Sequence, residues 1–172
     1  AQGRKGALDS DIKPIDRGMS FCGSAFTVVC HPRDNIMLQV AISYAQPGDV
    51  LFVSSGGQPA GQFGDVLANA CVSRGISAVV TDGGVRDTRE IGDLGFPVFS
   101  KYVCMEGTVK ESLGPINQPL VFGGQIIYPG DADFPPGQSG FHKKWSNLSP
   151  RLGLAWDASG DGRTAVRASY GI

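Results

Sequence analysis

Two short stretches of the chain combine glycine with charged residues in patterns that could do chemistry. The first is Asp82-Gly83-Gly84-Val85-Arg86-Asp87, which follows directly on the apolar run Ala78-Val79-Val80-Thr81. The planar guanidinium of Arg86 suits a carboxylate ligand, and the oxygens of Asp87 suit a hard cation such as Mg²⁺. The alternative interpretation is a turn that carries a surface Arg–Asp pair.

The second stretch, Gly64-Asp65-Val66-Leu67, stands where a helix is expected to begin. The free backbone N–H groups and the dipole of a helix start favour an anion, so this stretch could hold a carboxylate. The alternative is that Asp65 is only a first-turn or capping acid, whose charge complements the helix dipole.

The elements around these stretches predict that they meet. Val50-Leu51-Phe52-Val53-Ser54 is a buried type of strand, and residues 78–81 form another. Between them, Val66, Leu67, Ala70 and Cys71 are spaced as one apolar face of a helix, and Gly75 suits its left-handed cap. We therefore expect a right-handed βαβ unit, with both stretches at one edge of a parallel sheet.

Further elements extend this α/β pattern on both sides. The run Phe26-Thr27-Val28-Val29-Cys30 predicts a strand that His31-Pro32 stops. Asp34 then precedes a segment with helical spacing, which it could cap. More short strands are expected at 97–99, 120–122 and 125–128.

Composition and charge exclude several classes of protein. The 172 residues are 41% hydrophobic, and 15 basic residues nearly cancel 16 acidic ones. No basic field exists for general nucleic-acid binding, and no apolar run is long enough for a transmembrane helix. His31 is expected to be a surface residue, and Lys101 and Lys110 are expected to be solvated. The four cysteines, which form no C-x-x-C pair, are expected to be reduced, small core residues in the cytoplasm: Cys22, Cys30, Cys71 and Cys104.

Five motifs occur in order along the chain: Gly23 to Val28, Pro47 to Leu51, Gly64 to Leu67, Thr81 to Asp87 and Pro129-Gly130-Asp131. Together they resemble the family of the regulator of ribonuclease activity A and the class II 4-hydroxy-4-methyl-2-oxoglutarate / 4-carboxy-4-hydroxy-2-oxoadipate aldolases. The resemblance covers about residues 8–131. Residues 107–124, with Gly107-Thr108-Val109-Lys110 and Gly123-Gly124, look most like the aldolase branch.

The resemblance implies a fold and a set of site residues. The fold is a three-layer β/β/α swivelling domain with a βαβ core, assembled as a homotrimer or hexamer. Backbone amides of Gly64, Asp65, Val66 and Leu67 would hold the substrate carboxylate, and Val66 replaces the common leucine without affecting such a role. Arg86 would contact the pyruvyl group, Asp87 would bind Mg²⁺ or Mn²⁺, and Asp65 would order a metal-bound water.

The activity implied is that of a metal-dependent lyase. It would cleave a 4-hydroxy-2-oxo acid to pyruvate by a retro-aldol reaction, or decarboxylate oxaloacetate, with the metal and Arg86 stabilising the enolate charge. The alternative is a non-catalytic regulator that binds an endoribonuclease, which the departure of the C-terminal segment from the family pattern favours.

Residues 132–172 depart from the family as a second region of foreign character. Asp133 to Ser149 is predicted to be a linker, and the alternating residues from Leu152 to Ile172 predict a β-hairpin. Residues 134–172 resemble a barrel segment of TonB-dependent outer-membrane receptors, which indicates a chimeric chain; the alternative is an unusual soluble hairpin. One hairpin cannot close a barrel, so no membrane insertion is expected. We expect this tail to contribute no active-site residue.

Overall fold

The computed structural model describes residues 7–130 and the backbone of two strands over residues 152–157 and 165–170. The chain divides into two compact units, Ala1–Asp133 and Phe134–Ile172. Within the described residues, no helix is both long and apolar enough to cross a membrane.

The first unit contains short strands and three helices. Its helices are α1 (Ile36–Tyr44), α2 (Asp65–Ser73) and α3 (Thr88–Leu94). Its strands are β1 (Lys13–Pro14), β2 (Ser24–Val29), β3 (Asp49–Ser54), β4 (Gly61–Phe63), β5 (Ala78–Val85), β6 (Val98–Val103), β7 (Leu120–Phe122) and β8 (Gln125–Ile127).

The main sheet is mostly parallel and has the order β1-β6-β5-β3-β2. Strands β3 and β5 are parallel neighbours joined through α2, so the predicted βαβ unit is confirmed. Strand β4, which the sequence did not predict, pairs with β5 at Gly84 and Val85, beyond the stretch that β3 covers. The polypeptide therefore passes beside the end of β5 before α2 begins.

The two faces of the sheet bury separate apolar clusters, and the three-layer β/β/α arrangement is confirmed. In β3, Leu51 and Val53 join the cluster under the helices. Val50 and Phe52 point to the other face and pack with Leu120 and Phe122 of the antiparallel β7–β8 hairpin. This alternation follows from the two-residue period of a strand that is covered on both sides.

The structure corrects details of the predicted βαβ unit. Helix α2 buries Ala68 and Cys71, whereas Val66 is 74% exposed, so the predicted apolar face was wrong at Val66. Gly75 has a φ of +72° just past the helix end, as the capping prediction required. Strand β5 continues through Gly83 and Gly84 to Val85 and is irregular there, since its register against β6 shifts after Thr81.

The cysteine prediction is confirmed in part. All four are free thiols in the described residues. Cys30 and Cys71 are buried, and burial raises the pKa of each thiol to about 12. Cys22 is exposed and Cys104 is partly exposed, so their assignment to the core was wrong.

The second unit contains the predicted hairpin. Strands β9 (Leu152–Asp157) and β10 (Ala165–Tyr170) are antiparallel, with Leu152 opposite Tyr170 and Asp157 opposite Ala165. The predicted linker and turn lie outside the described residues.

Candidate active site

Arg86 and Asp87 follow directly on the last residue of β5. Asp87 has a φ of +55° and stands at the N-cap position of α3, where its carbonyl accepts a hydrogen bond from the Ile91 amide at 3.0 Å. The left-handed conformation is uncommon outside glycine, and Asp and Asn tolerate it best. The left-handed backbone of Asp87 therefore places its carboxylate just beyond the carboxyl end of β5, the central strand.

Strand β4 brings the second predicted stretch to the same place. The Arg86 amide donates to the Phe63 carbonyl at 2.9 Å, so Gly64 and Asp65 begin α2 beside the end of β5. The Asp65 amide then donates to Asp87 Oδ2 at 3.2 Å. The structure thus joins two motifs that are separated by 22 residues in the chain.

Gly64 makes this approach sterically feasible. A Cβ at this position would lie 2.4 Å from Asp87 Oδ2 and 3.0 Å from Arg86 Nε. Its φ of −145° is ordinary, so glycine is required here for space and not for backbone conformation. The α2 N-terminus can therefore touch both charged side chains.

The charged pair is open to solvent. Arg86 Nε lies 3.6 Å from Asp87 Oδ2, and the two side chains are 46% and 35% exposed. An exposed pair of this kind adds at most about 1 kcal/mol to stability. Within the described residues, the guanidinium makes no other hydrogen bond or ion pair, and no donor contacts Asp87 Oδ1. Both groups therefore remain available to a ligand.

The predicted amide cradle at residues 64–67 is only partly available. The Val66 amide donates to the side chain of its own neighbour, Asp65 Oδ1, at 2.7 Å. The Asp65 amide is directed at Asp87, as described above. In the part of the chain that the structure describes, the Leu67 amide has no acceptor, which leaves it as the N–H group best placed for an anion.

The donor set suits a divalent cation that takes few protein ligands. Across residues 7–130, no three His, Cys, Asp or Glu side chains cluster as a metal cage. Mg²⁺ commonly binds through one or two carboxylates and completes its shell with water and substrate oxygens. Asp87, through its uncontacted Oδ1, could hold such an ion, and a 2-oxo acid could supply two further oxygens.

Asp82, in the same motif, is held by protein groups instead. Its carboxylate accepts hydrogen bonds from Ser54 Oγ at 2.9 Å, from the Ser55 amide at 2.6 Å and from Ser55 Oγ at 3.0 Å. These contacts tie the end of β3 to β5. This role was not predicted from the sequence, because it depends on tertiary contacts over 28 and 27 residues that no local pattern marks.

Among the described residues, the other predicted surface residues take no part in these hydrogen bonds. His31 and Lys110 are exposed, as predicted. Lys101 is only 31% exposed and lies 3.6 Å from Asp11, so it is not the freely solvated residue expected. A surface cavity of about 410 Å³ beside Lys101 is lined by neither Arg86 nor Asp87.

The chain belongs to the Aldolase/RraA family, whose family model, RraA-like, matches residues 1–132. This confirms the family indicated by the five sequence motifs. A second family model, described as an outer membrane beta barrel domain, matches residues 98–172 and supports the foreign character of the tail.

Individual relatives show the same similarity. "Putative 4-hydroxy-4-methyl-2-oxoglutarate aldolase" of Halalkalibacterium halodurans is 34% identical over 125 residues, 72% of this chain and 60% of that protein. A protein of the same name from Ectopseudomonas mendocina is 32% identical over 65% of this chain and 69% of that protein.

Among solved structures, the RNA-processing inhibitor RraA from Thermus thermophilis superimposes with a TM-score of 0.66. It is 27% identical and the match covers 72% of this chain and 76% of that chain. The chain is therefore similar in fold to a protein described as an RNA-processing inhibitor and in sequence to proteins named as putative aldolases, and it spans only 60% of the first of those relatives.

Proposed function

We propose that the protein is a class II, metal-dependent lyase that cleaves 4-hydroxy-2-oxo acids to pyruvate and can decarboxylate oxaloacetate. The observation that carries the proposal is the convergence of the Asp65 amide and the Arg86 guanidinium on the Asp87 carboxylate. The names of the similar proteins support the choice of substrate class.

Substrate binding is assigned to Arg86 and the start of α2. The guanidinium of Arg86 is exposed enough to bind the carboxylate or 2-oxo oxygen of the pyruvyl group. The Leu67 amide, at the positive end of the α2 dipole, can donate to a second carboxylate oxygen. Together they orient the 2-oxo acid beside Asp87.

Asp87 is assigned to hold Mg²⁺ or Mn²⁺. When bound there, the cation supplies Lewis-acid stabilisation of the negative charge that develops on the 2-oxo oxygen. The Asp65 amide fixes the orientation of Asp87 Oδ2, and Arg86 adds a second positive charge near the developing enolate.

Asp65 is assigned a role in proton transfer. Loss of the proton from the substrate 4-hydroxyl lets the C3–C4 bond break, and its electron pair passes to C3 to give the enolate. C4 leaves as the carbonyl carbon of the second product, and protonation of C3 by water then gives pyruvate. Asp65 is partly exposed, so its carboxylate can order a water molecule that takes up the hydroxyl proton.

The active assembly is proposed to be a homotrimer or hexamer.

Pyruvate release tests the proposal directly. We expect the full chain to release pyruvate from 4-hydroxy-4-methyl-2-oxoglutarate or oxaloacetate with Mg²⁺ or Mn²⁺, and to lose this activity in EDTA. Arg86→Lys should lose at least about tenfold in kcat/KM, because an ammonium cannot reproduce the bidentate guanidinium. Full activity in EDTA would contradict the metal mechanism.

A second candidate function is regulation of an endoribonuclease without catalysis. It is favoured by the structural similarity to the RNA-processing inhibitor RraA. A pull-down with a purified endoribonuclease, run beside the pyruvate assay, separates the two. Binding and inhibition of the nuclease without release of pyruvate would support the hypothesis that the protein is a regulator of an endoribonuclease.

A further inference from the structure

Arg33 is a cation in a strained backbone conformation. Its φ is +62°, in the left-handed region that costs a residue with a Cβ on the order of 1 kcal/mol. Its guanidinium pairs with the carboxylate of Glu106, and the two side chains are 56% and 46% exposed. A pair this exposed adds little to stability, so the pair alone does not account for a strained arginine here.

The loop that carries Arg33 is fixed to the segment that carries Glu106. The Val109 amide donates to the Arg33 carbonyl at 2.9 Å, and the Asn35 amide donates to the Val109 carbonyl at 3.2 Å. Asp34, between them, is buried and accepts hydrogen bonds from the Glu111 and Ser112 amides. The position of Arg33 is therefore set by buried contacts.

This segment borders the candidate active site at Gly61. The Gly61 amide donates to the Glu106 carbonyl at 2.9 Å. A Cβ on Gly61 would lie 3.2 Å from that carbonyl oxygen and 3.5 Å from Arg86 Cδ. The backbone of Glu106 and the side chain of Arg86 thus flank the same glycine, and the side chain of Glu106 pairs in turn with Arg33.

We propose that Arg33 binds the second, distal carboxylate of the substrate and so selects dicarboxylic 4-hydroxy-2-oxo acids. This inference rests on the proposed function, in which Arg86 holds the pyruvyl end. Without substrate, the carboxylate of Glu106 pairs with the guanidinium of Arg33. With substrate, the distal carboxylate replaces Glu106, which exchanges one Arg–carboxylate pair for another.

The test compares two substrates that differ in the distal carboxylate: 4-hydroxy-2-oxoglutarate and 4-hydroxy-2-oxopentanoate. Arg33→Asn removes the charge and keeps a residue that tolerates positive φ. We expect it to lower the kcat/KM ratio of dicarboxylate to monocarboxylate about tenfold, through the KM of the dicarboxylate. The control Arg74→Asn removes an exposed arginine at the other end of α2 and should leave the ratio unchanged.

Glu106→Gln gives a second, opposite test. It frees Arg33 from its partner, so we expect the KM of the dicarboxylate to fall while that of the monocarboxylate stays the same. An unchanged ratio in Arg33→Asn would overturn the inference and leave the pair as a surface ion pair.

A failure of the proposed function gives a different result from a failure of this inference. If the wild-type chain cleaves neither substrate, that function is contradicted, and calorimetry with 2-oxoglutarate and 2-oxobutanoate still tests Arg33. Tighter binding of 2-oxoglutarate that is lost in Arg33→Asn would support distal carboxylate recognition by Arg33. Equal binding of the two acids by the wild-type chain would overturn it.

Discussion

Two aspartates in this protein occupy similar places in the chain and have opposite environments. Asp34 precedes α1 and Asp87 precedes α3, and each lies beyond the end of a parallel strand. Asp34 is 1% exposed and its carboxylate accepts hydrogen bonds from three backbone amides, those of Ile36, Glu111 and Ser112. The Asp87 side chain is 35% exposed and accepts from one amide, beside an arginine.

The two carboxylates differ in how many hydrogen bonds they accept from the protein. Burial alone would raise the pKa of Asp34, but its three amide donors lower the pKa below the ordinary value. A carboxylate saturated in this way holds loops together and has little capacity for a ligand. Asp87 keeps an oxygen without a protein donor among the described residues, as a binding residue requires.

The largest expected effect is a loss of activity on substitution of Asp87, which Asp34 should not show. Asp87→Asn keeps the size of the side chain and the tolerance of positive φ, but removes the charge. We expect pyruvate release to fall about 1,000-fold, because several kcal/mol of metal and charge stabilisation are lost. Steady-state assays at saturating Mg²⁺ measure this, and circular dichroism checks the fold. Activity within tenfold of wild type would show that Asp87 does not hold the catalytic cation.

Gly64→Ala sharpens the contrast by moving Asp87 without changing its chemistry. The new Cβ would need the space of Asp87 Oδ2 and Arg86 Nε, and these side-chain ends can shift without unfolding the chain. We expect a loss of about 100-fold in kcat/KM with the fold retained, because misplacement by about 1 Å can cost that much. Wild-type kinetics would mean that the contact between α2 and Asp87 is dispensable.

Asp34→Asn should lower the stability of the fold and leave the activity nearly unchanged. It replaces a charged acceptor of three amides with a neutral group, and we expect the free energy of unfolding at pH 7 to fall by about 3 kcal/mol. The kcat of the folded fraction should remain near that of wild type. Urea unfolding followed by fluorescence measures the first quantity.

The difference in stability between the wild type and Asp34→Asn should depend on pH. Because the folded pKa of Asp34 is lowered, its ionised form stabilises the fold above the ordinary carboxyl pKa, near 4. This contribution is lost as the pH falls through the lowered value. The stability difference between wild type and Asp34→Asn should therefore shrink below about pH 4. A difference that is constant from pH 7 to pH 3 would contradict a charged Asp34.

Val66→Leu should have the smallest effect. The Val66 side chain is 74% exposed, and its amide already bonds to Asp65. Because any role of this residue belongs to the backbone, we expect kcat/KM within about twofold and unfolding free energy within about 0.5 kcal/mol of wild type. A loss of tenfold or more would show that its side chain contacts the substrate or a partner.

The elements that the sequence could predict are those with a strong local pattern. The runs at 50–54 and 78–81 and the spacing from Val66 to Cys71 were enough to predict the βαβ unit. Strand β4 has three residues, and one of them is the fully buried polar Gln62, so no local period marks it. Helix α3 has seven residues and a single buried apolar side chain, Ile91.

The residues of the candidate site and their meeting at one edge of the sheet were predictable, but the contacts between them were not. The motifs identify Gly64, Asp65, Arg86 and Asp87, yet their contact depends on β4 pairing with the end of β5. Asp82 has the same residue type as Asp87 and lies five positions before it. Its capture by Ser54 and Ser55 is a tertiary contact, over 28 and 27 residues, that no local pattern marks.

The most direct test of the account is cation binding at Asp87 in the presence of an enolate mimic. Mn²⁺ binding is measured by calorimetry with and without oxalate, on the wild-type chain and on Asp87→Asn, with Asp34→Asn as the matched control. We predict that oxalate tightens Mn²⁺ binding at least about tenfold in wild type and in folded Asp34→Asn, and has no effect in Asp87→Asn. The same oxalate-dependent Mn²⁺ binding in Asp87→Asn as in wild type would contradict the assignment of Asp87 as the metal-binding residue.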